Sequence, residues 1–248
     1  MPPLEDKAAA DPPTALRTLA VIPARLASTR LERKMLLADT GTYLFEHTVR
    51  AVEAAAPAIT RTVLATDSEE ILNAAREVSV DALMTSPDCP SGTDRVYEAW
   101  RLLEESDGPW GVVVNVQGDE PEIARADLAA LVACFEDPAV HAATLCAPIE
   151  SEAEAADPAV VKVVRDARGD AMYFSRSPIP ARSHARNGAS GLERLERHLG
   201  VYAFRPAALK EFRELPPSRL EEAENLEQLR WLESGQKMRV ARAGRASR

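Results

Sequence analysis

Four cations stand within ten residues, Arg25, Arg30, Arg33 and Lys34, directly behind a short apolar run, Leu19 to Pro23. Such a cluster suits the oxygens of a triphosphate, which guanidinium and ammonium groups bind through charge-assisted hydrogen bonds. Neither a GxxxxGK[ST] loop nor a GxGxxG fingerprint occurs in the chain. Phosphate capture here would therefore rest on side-chain cations and exposed backbone amides. The same charges read equally well as a solvated basic loop. A second stretch, Asn115-Val-Gln-Gly-Asp-Glu-Pro121, follows a valine-rich run and presents Asp119 and Glu120 just after a glycine that lets the chain turn. Carboxylates so placed suit Mg²⁺, a hard cation satisfied by one or two of them together with substrate phosphates and water. Acidic capping of the following helix is the alternative.

The elements that must position these groups follow from hydrophobic period. Leu19 to Pro23 reads as a buried parallel strand, followed by strand-like runs at Thr62 to Ala65, Ala82 to Thr85, Gly111 to Val116 and Ala142 to Pro148. Helical patterns separate them at Ser68 to Glu77, Arg95 to Glu105 and Arg125 to Phe135. This βαβ repetition predicts an α/β fold with a mostly parallel sheet, whose ligands bind beyond the carboxyl ends of the strands. After Pro148 the pattern changes. Val160 to Arg165, Met172 to Ser175 and His198 to Phe204 read as strands of an antiparallel insertion, Leu220 to Glu233 as one helix ended by Gly235, and Met238 to Val240 as a final strand.

Composition bounds the rest. The 248 residues are 46% hydrophobic and only 5% aromatic, so a core of Val, Leu, Ile and Ala is expected. The formal net charge of −9 argues against nucleic acid or an anionic membrane as partner. Cys89, Cys134 and Cys146 show no CxxC spacing, which fits a reducing compartment. No run is apolar enough for a signal peptide or a membrane span, so the expected location is the cytoplasm. The expected organisation is a disordered leader over 1–16, one domain over 17–240 with its insertion at about 165–205, and a short tail over 241–248.

Several strings then combine. Val21-Ile-Pro-Ala-Arg-Leu-Ala-Ser-Thr-Arg30, Ala65-Thr-Asp67, Ser91-Gly-Thr-Asp-Arg95, Val114-Asn-Val-Gln-Gly-Asp-Glu-Pro121, Val161-Lys-Val-Val164, Tyr173-Phe-Ser-Arg-Ser-Pro-Ile-Pro180, His198-Leu-Gly-Val-Tyr202 and Leu226-Glu-Gln-Leu-Arg230 occur in this order. Together they resemble the 3-deoxy-manno-octulosonate cytidylyltransferase family, the CMP-Kdo synthetases, from about Leu19 to Val240. The resemblance implies a nucleotidyltransferase α/β domain of the nucleotide-diphospho-sugar transferase type, with a small antiparallel insertion that makes a homodimer contact. It implies a reaction of CTP with Kdo to give CMP-Kdo and pyrophosphate, with Mg²⁺, for lipopolysaccharide biosynthesis. By this resemblance Pro23, Ala24 and Arg25, with Ser91, Gly92 and Thr93, hold cytosine and ribose. Arg25, Arg30 and Lys34 meet the phosphates, and Asp119 binds the metal, which makes Arg25, Lys34 and Asp119 the catalytic set. Gln117, Arg176, His198, Tyr202, Glu227 and Gln228 surround the sugar acid, with Arg176 suited to a two-pronged grip on its carboxylate.

Two departures qualify this. The family has Pro-Gly-Lys where this chain has Glu32-Arg33-Lys34, which exchanges a freely turning glycine for an arginine. The family also continues past its last strand with an acidic motif that supplies a second metal ligand, whereas Ala241 to Arg248 holds no carboxylate. Reduced activity is expected from the second, and a catalytically impaired nucleotide-binding homologue stays open. So does a CMP-sugar synthetase for another sugar acid, such as sialic acid.

Overall fold

The first apolar run forms β1 (Thr18–Ala24), every residue of which is buried. The computed structural model describes residues 16–26, 33–181, 192 and 195–244. β2 (Arg61–Thr66) and β4 (Val112–Asn115) flank β1 in parallel, and β3 (Ala82–Met84) pairs with the outer side of β2. Both faces of β1 are covered, so its run is continuously apolar rather than alternating. Ala20 and Ile22 enter one core with Phe45, Leu64, Ile71 and Leu128. Leu19 and Val21 enter the other with Val96, Trp100, Leu209 and Trp231.

The connections are helices: α1 (Leu44–Glu53), α2 (Glu69–Glu77), α3 (Gly92–Asp107) and α4 (Arg125–Ala133). Ser68 caps α2 by accepting from Ile71 N, and Ser91 caps α3 by accepting from Asp94 N, each satisfying a helix-end amide. α3 thus begins three residues ahead of the helical pattern read from sequence. Gly92 and Thr93, read as loop, are its first turn.

The second half departs further from the sequence reading. β5 (Ala142–Pro148) pairs with β8 (Glu196–Phe204) antiparallel and with β9 (Arg239–Arg242) in parallel. The strand over His198 to Phe204, expected in the insertion, is a central strand of the main sheet, between β4 and β5 in the order β3-β2-β1-β4-β8-β5-β9. Among the described residues the insertion contributes the hairpin β6 (Lys162–Arg165) and β7 (Ala171–Ser175), which joins the sheet where β6 meets β8. β9 continues to Arg242, two residues into the stretch expected as tail, and Gly244 N donates to Asp127 Oδ1 at 2.8 Å. Residues 1–15 of the expected leader, most of the polar loop before β8, and 245–248 lie outside the described residues.

The single helix expected over Leu220 to Glu233 is two. A short α5 (Glu152–Ala156) and α6 (Pro206–Glu214), unread from sequence, precede α7 (Arg219–Glu224) and α8 (Gln228–Glu233). Asn225, at φ 52°, ends α7 in the left-handed region that Asn tolerates better than most residues. A capping box of Ser218 and Glu221 starts α7.

Two buried cations brace this frame. Arg95 is wholly inaccessible and donates from Nη2 to Asp67 Oδ2 at 2.6 Å and from Nη1 to Thr85 Oγ1 at 2.5 Å, tying α3 to the ends of β2 and β3. Lys162, equally inaccessible, gives its ammonium to the carbonyls of Asp157, Val160 and Arg176 at 2.9, 2.6 and 2.6 Å. Burial pulls the Lys162 pKa below its ordinary value, against the opposing pull of the Asp157 and Glu224 charges. Removing one partner of a buried pair strands the other charge. Asp67→Ala is therefore expected to lower unfolding free energy by about 3 kcal/mol in urea denaturation. Arg101→Ala, whose partners Glu104 and Glu105 sit beside it on the surface of α3, should change it by no more than about 0.5 kcal/mol. Equal losses in the two variants would refute the bracing role.

Candidate active site

The carboxyl ends of β1, β2 and β4 open on one edge of the sheet, because parallel strands all point the same way. Pro23 and Ala24 end β1 there, and Arg25 follows directly. Arg25 Nη2 donates to the Cys89 carbonyl at 2.7 Å, which aims the guanidinium across the edge. The loop carrying Cys89 is itself held by Glu98, which accepts from Ser86 N at 2.8 Å and from Cys89 Sγ at 3.1 Å. Burial, helped by the Glu98 hydrogen bond, pushes the Cys89 thiol up to about 11, so it is no nucleophile at neutral pH.

Lys34 Nζ meets Asp119 Oδ2 at 2.5 Å, which joins the basic stretch to the acidic one across 85 residues. Arg30 lies outside the described residues. Arg33 adopts φ 55°, the left-handed conformation, in the position where the family has glycine. An arginine holds this conformation at a strain of order 1 kcal/mol, which a glycine there would not carry. The Arg33 side chain pairs with Glu70 at the start of α2, instead of standing as a further free cation for phosphate.

Gly118 lies in the turn expected of it, closed by Glu120 N donating to the Gln117 carbonyl at 3.1 Å, although its φ is not positive. A Cβ there would lie 2.8 Å from Met35 Sδ and 3.1 Å from the Pro23 carbonyl. The glycine lets the acidic loop pack against the end of β1, and Thr48 Oγ1 secures it by donating to the Gly118 carbonyl at 2.9 Å. Gly92 stands open to the same point: a Cβ on it would sit 3.6 Å from Pro23 Cγ and 3.7 Å from Gln117 Oε1. The nucleotide strings expected from sequence and Gln117 therefore converge. Gln117 Nε2 is turned by Asn115 Oδ1 at 3.2 Å.

The residues expected around a sugar acid line the adjoining wall. Asn115 is in register with Tyr202, so β8 carries the wall directly beside the acidic loop. Between Thr144 and Leu145 the β5–β8 register shifts, pairing Tyr202 with Thr144 but His198 with Cys146. This bulge in β8 brings His198 and Tyr202, four residues apart, to ring centroids 5.3 Å apart. Thr144 Oγ1 lies 2.9 Å from His198 Nε2, and Phe174 packs edge-on to the histidine. Rings continue from Tyr202 through Phe204 and Phe212 to Trp231 on α8, an aromatic chain behind this wall. Burial depresses His198 to about 3, which keeps the imidazole neutral, and raises the Tyr202 phenol, with the Glu227 charge adding to the rise. His198 and Asp119 share a cavity of about 220 Å³ with Glu120, Glu122 and Arg197.

Glu227 and Gln228 sit where α8 begins, a placement created by the break at Asn225. Gln228 is 3% exposed, and its Nε2 has no hydrogen-bond partner among the described residues. A buried amide left open in this way is a donor waiting for a ligand or water. Glu227 accepts from Thr93 Oγ1 at 3.0 Å. Burial raises its pKa, against the Thr93 hydrogen bond and Arg230. Arg176 differs from the free fork expected: it donates to the carbonyls of Glu224, Asn225 and Pro158 at 2.7, 3.1 and 3.0 Å, pinning the α7–α8 joint. Two of its five N–H groups remain for a substrate carboxylate.

Among the described residues no group of three or more His, Cys, Asp or Glu side chains is placed to enclose a metal. Asp119, about a third exposed, is paired with Lys34. This donor set fits a hard cation that arrives with phosphate oxygens and water, one protein carboxylate completing its shell. Sequence reasoning missed the supports: Asp67 and Arg95 stood inside quoted strings but their pairing was not seen, and Thr48, Glu98, Thr144 and Glu224 carried no local signal.

Known proteins bear on this geometry. The cytidylyltransferase family model matches residues 19–238. A 3-deoxy-manno-octulosonate cytidylyltransferase of Acidobacterium capsulatum is 45% identical over 230 residues, covering 93% of this chain and 89% of that protein. One of Chlorobaculum tepidum is 45% identical over 228 residues, covering 90% and 88%. Among solved structures, a CMP:2-keto-3-deoxy-manno-octonic acid synthetase complexed with CTP superposes with a TM-score of 0.83 at 38% identity, over 92% of this chain and 90% of that one. A cytidylyltransferase from Leptospira borgpetersenii, 15% identical with a TM-score of 0.57, shares the fold.

The neutral histidine gives the site a pH signature. The unfolded chain protonates His198 near 6.5 while the folded chain resists until about 3, so the folded state loses stability as pH falls below 6.5. Urea denaturation between pH 7.5 and 5 is expected to show this loss, and His198→Gln should flatten it. An identical pH slope in wild type and variant would show that His198 is not held neutral.

Proposed function

The chain belongs to the cytidylyltransferase family, and on that premise we propose that it couples CTP to 3-deoxy-D-manno-octulosonate, giving CMP-Kdo and pyrophosphate. The observation that carries this reading is the meeting of the nucleotide strings, the Lys34–Asp119 pair and the open Gln228 amide on one sheet edge. Relatives 45% identical over nine-tenths of the chain carry the Kdo-specific name, which supports that sugar acid over sialic acid.

In this reaction the anomeric hydroxyl oxygen of Kdo attacks the α-phosphorus of CTP. A new P–O bond forms, the bond to the bridging oxygen of pyrophosphate breaks, and the hydroxyl proton is released. Catalysis of this kind is mostly placement and charge stabilisation. Pro23, Ala24, Arg25 and the amino-terminal turn of α3 bind the nucleotide. Arg25, aimed by the Cys89 carbonyl, and Lys34 face the charge that grows on the departing oxygen. Gln117, Arg176, His198, Tyr202, Glu227 and Gln228 orient the sugar acid, with His198 acting as a neutral hydrogen-bonding partner rather than a base. Mg²⁺, held by Asp119, would neutralise phosphate charge and polarise the phosphoryl group. The exposed hairpin β6–β7, where Met172 is 65% accessible, is the face through which a homodimer would form in the cytoplasm.

A pyrophosphate-release assay tests this. Release is expected with CTP, Kdo and Mg²⁺ together, and not with a nine-carbon sialic acid in place of Kdo. Asp119→Asn should lower kcat about 100-fold. Absence of release with CTP and Kdo at any divalent ion would overturn the reading, and unchanged turnover in Asp119→Asn would overturn the metal assignment.

A further inference from the structure

Thr93 belongs by resemblance to the loop that holds cytosine and ribose, yet its hydroxyl points elsewhere. Ser91, not Thr93, caps α3, and the backbone around Gly92 forms the open floor beside Pro23 and Gln117. Thr93 is buried, and its Oγ1 donates to Glu227 Oε2 at 3.0 Å across 134 residues of sequence. Glu227 begins the short stretch that also carries the open Gln228 amide.

The surroundings make this hydrogen bond consequential. Around Glu227 stand Thr93 and Asp94 from α3, Glu221 from α7, Arg230 from α8 and Tyr202 from β8. Arg230, the cation nearest to hand, gives its Nε to Glu221 at 2.8 Å and a second N–H to the same carboxylate. Asp94 is engaged by Ser91 at 2.7 Å and by Arg213 at 3.2 Å. The two neighbouring carboxylates and burial all oppose ionisation of Glu227, while the Thr93 hydroxyl favours it.

We propose that Thr93 is a positioning residue for the sugar-acid half of the reaction, its hydroxyl holding the Glu227 carboxylate turned toward the sugar. The inference rests on the reading of Glu227 as a sugar ligand. It makes one hydrogen bond common to both substrate subsites: the turn that carries the nucleotide floor also sets the wall opposite.

Steady-state kinetics with CTP and Kdo separate the possibilities. Thr93→Val removes the donor and keeps the shape, and is expected to raise KM for Kdo about tenfold, more than any rise in KM for CTP, the size of one lost hydrogen bond to a charged group. Thr93→Ser restores the donor and should recover most of that loss. The acid limb of kcat/KM for Kdo should move to higher pH in Thr93→Val, because the support for the ionised carboxylate is gone. Glu227→Asp, which keeps the charge but shortens the reach, should reproduce the rise in KM for Kdo and serves if Thr93→Val does not fold. A rise in KM for CTP with that for Kdo unmoved, or an acid limb that stays in place, overturns the proposal. Failure of the wild-type protein to release pyrophosphate at all, or an unchanged KM for Kdo in Glu227→Asp, overturns instead the underlying reading of the site.

Discussion

A guanidinium with no exposed surface must find its counter-charge inside the protein, and Arg95 finds it on Asp67 at the carboxyl end of β2. That single requirement fixes where α3 can start. Ser91, Gly92 and Thr93 precede Arg95 by less than one helical turn and a half, so the pair sets the position of that turn against Pro23 and Gln117. Thr85, the second partner of Arg95, draws the end of β3 into the same knot. Glu98, one turn further along α3, then holds the Cys89 loop, and the Cys89 carbonyl aims Arg25. The cleft is thus built outward from a buried charge rather than assembled from surface loops.

Charge explains how an acidic chain can receive a polyanion. With a net charge of −9, the long-range field repels a triphosphate, so the local cations must prevail at close range. They are already partnered, Arg33 with Glu70 and Lys34 with Asp119. The Lys34–Asp119 pair is about a third exposed on both sides, and such pairs are worth only about 0–1 kcal/mol. It is therefore easily broken, whereas the buried Arg95–Asp67 pair is not. Difference in burial separates the charges that move from those that hold.

How much of this could be read in the sequence depended on whether the signal was local. The parallel strands were legible because their apolar runs are short and bounded, as Leu19 to Pro23 shows. The ends of α3 were less so: a capping serine and a glycine at its first turn look like a loop until the hydrogen bond from Asp94 N is seen. Leu220 to Glu233 kept a helical rhythm across a break that one left-handed Asn imposes, and the break is what places Glu227 and Gln228. β8 was misplaced in the insertion because strand period says nothing about which strands it will join. Gly118 was legible as a turn, which the bond from Glu120 N to the Gln117 carbonyl bears out, but its close approach to Met35 and Pro23 carried no local signal. The supports Thr48, Thr144 and Glu224 are ordinary polar residues whose partners lie far along the chain.

The sheet order has a consequence for the birth of the molecule. β5 has no partner that precedes it in sequence: β8 lies on one side and β9 on the other, and β9 ends at Arg242. A ribosome adding about 5–20 residues per second needs roughly 5–20 seconds to travel from the end of β5 to the end of β9. Until β8 is complete at Phe204 both hydrogen-bonding edges of this apolar strand are open, and until β9 is complete one of them still is, a condition that invites pairing with a neighbouring chain. The amino-terminal half, β1 to β4, can close its own parallel ladder meanwhile. Translation speed and chaperone capture over residues 149 to 242 are thus part of how this fold is reached in a cell.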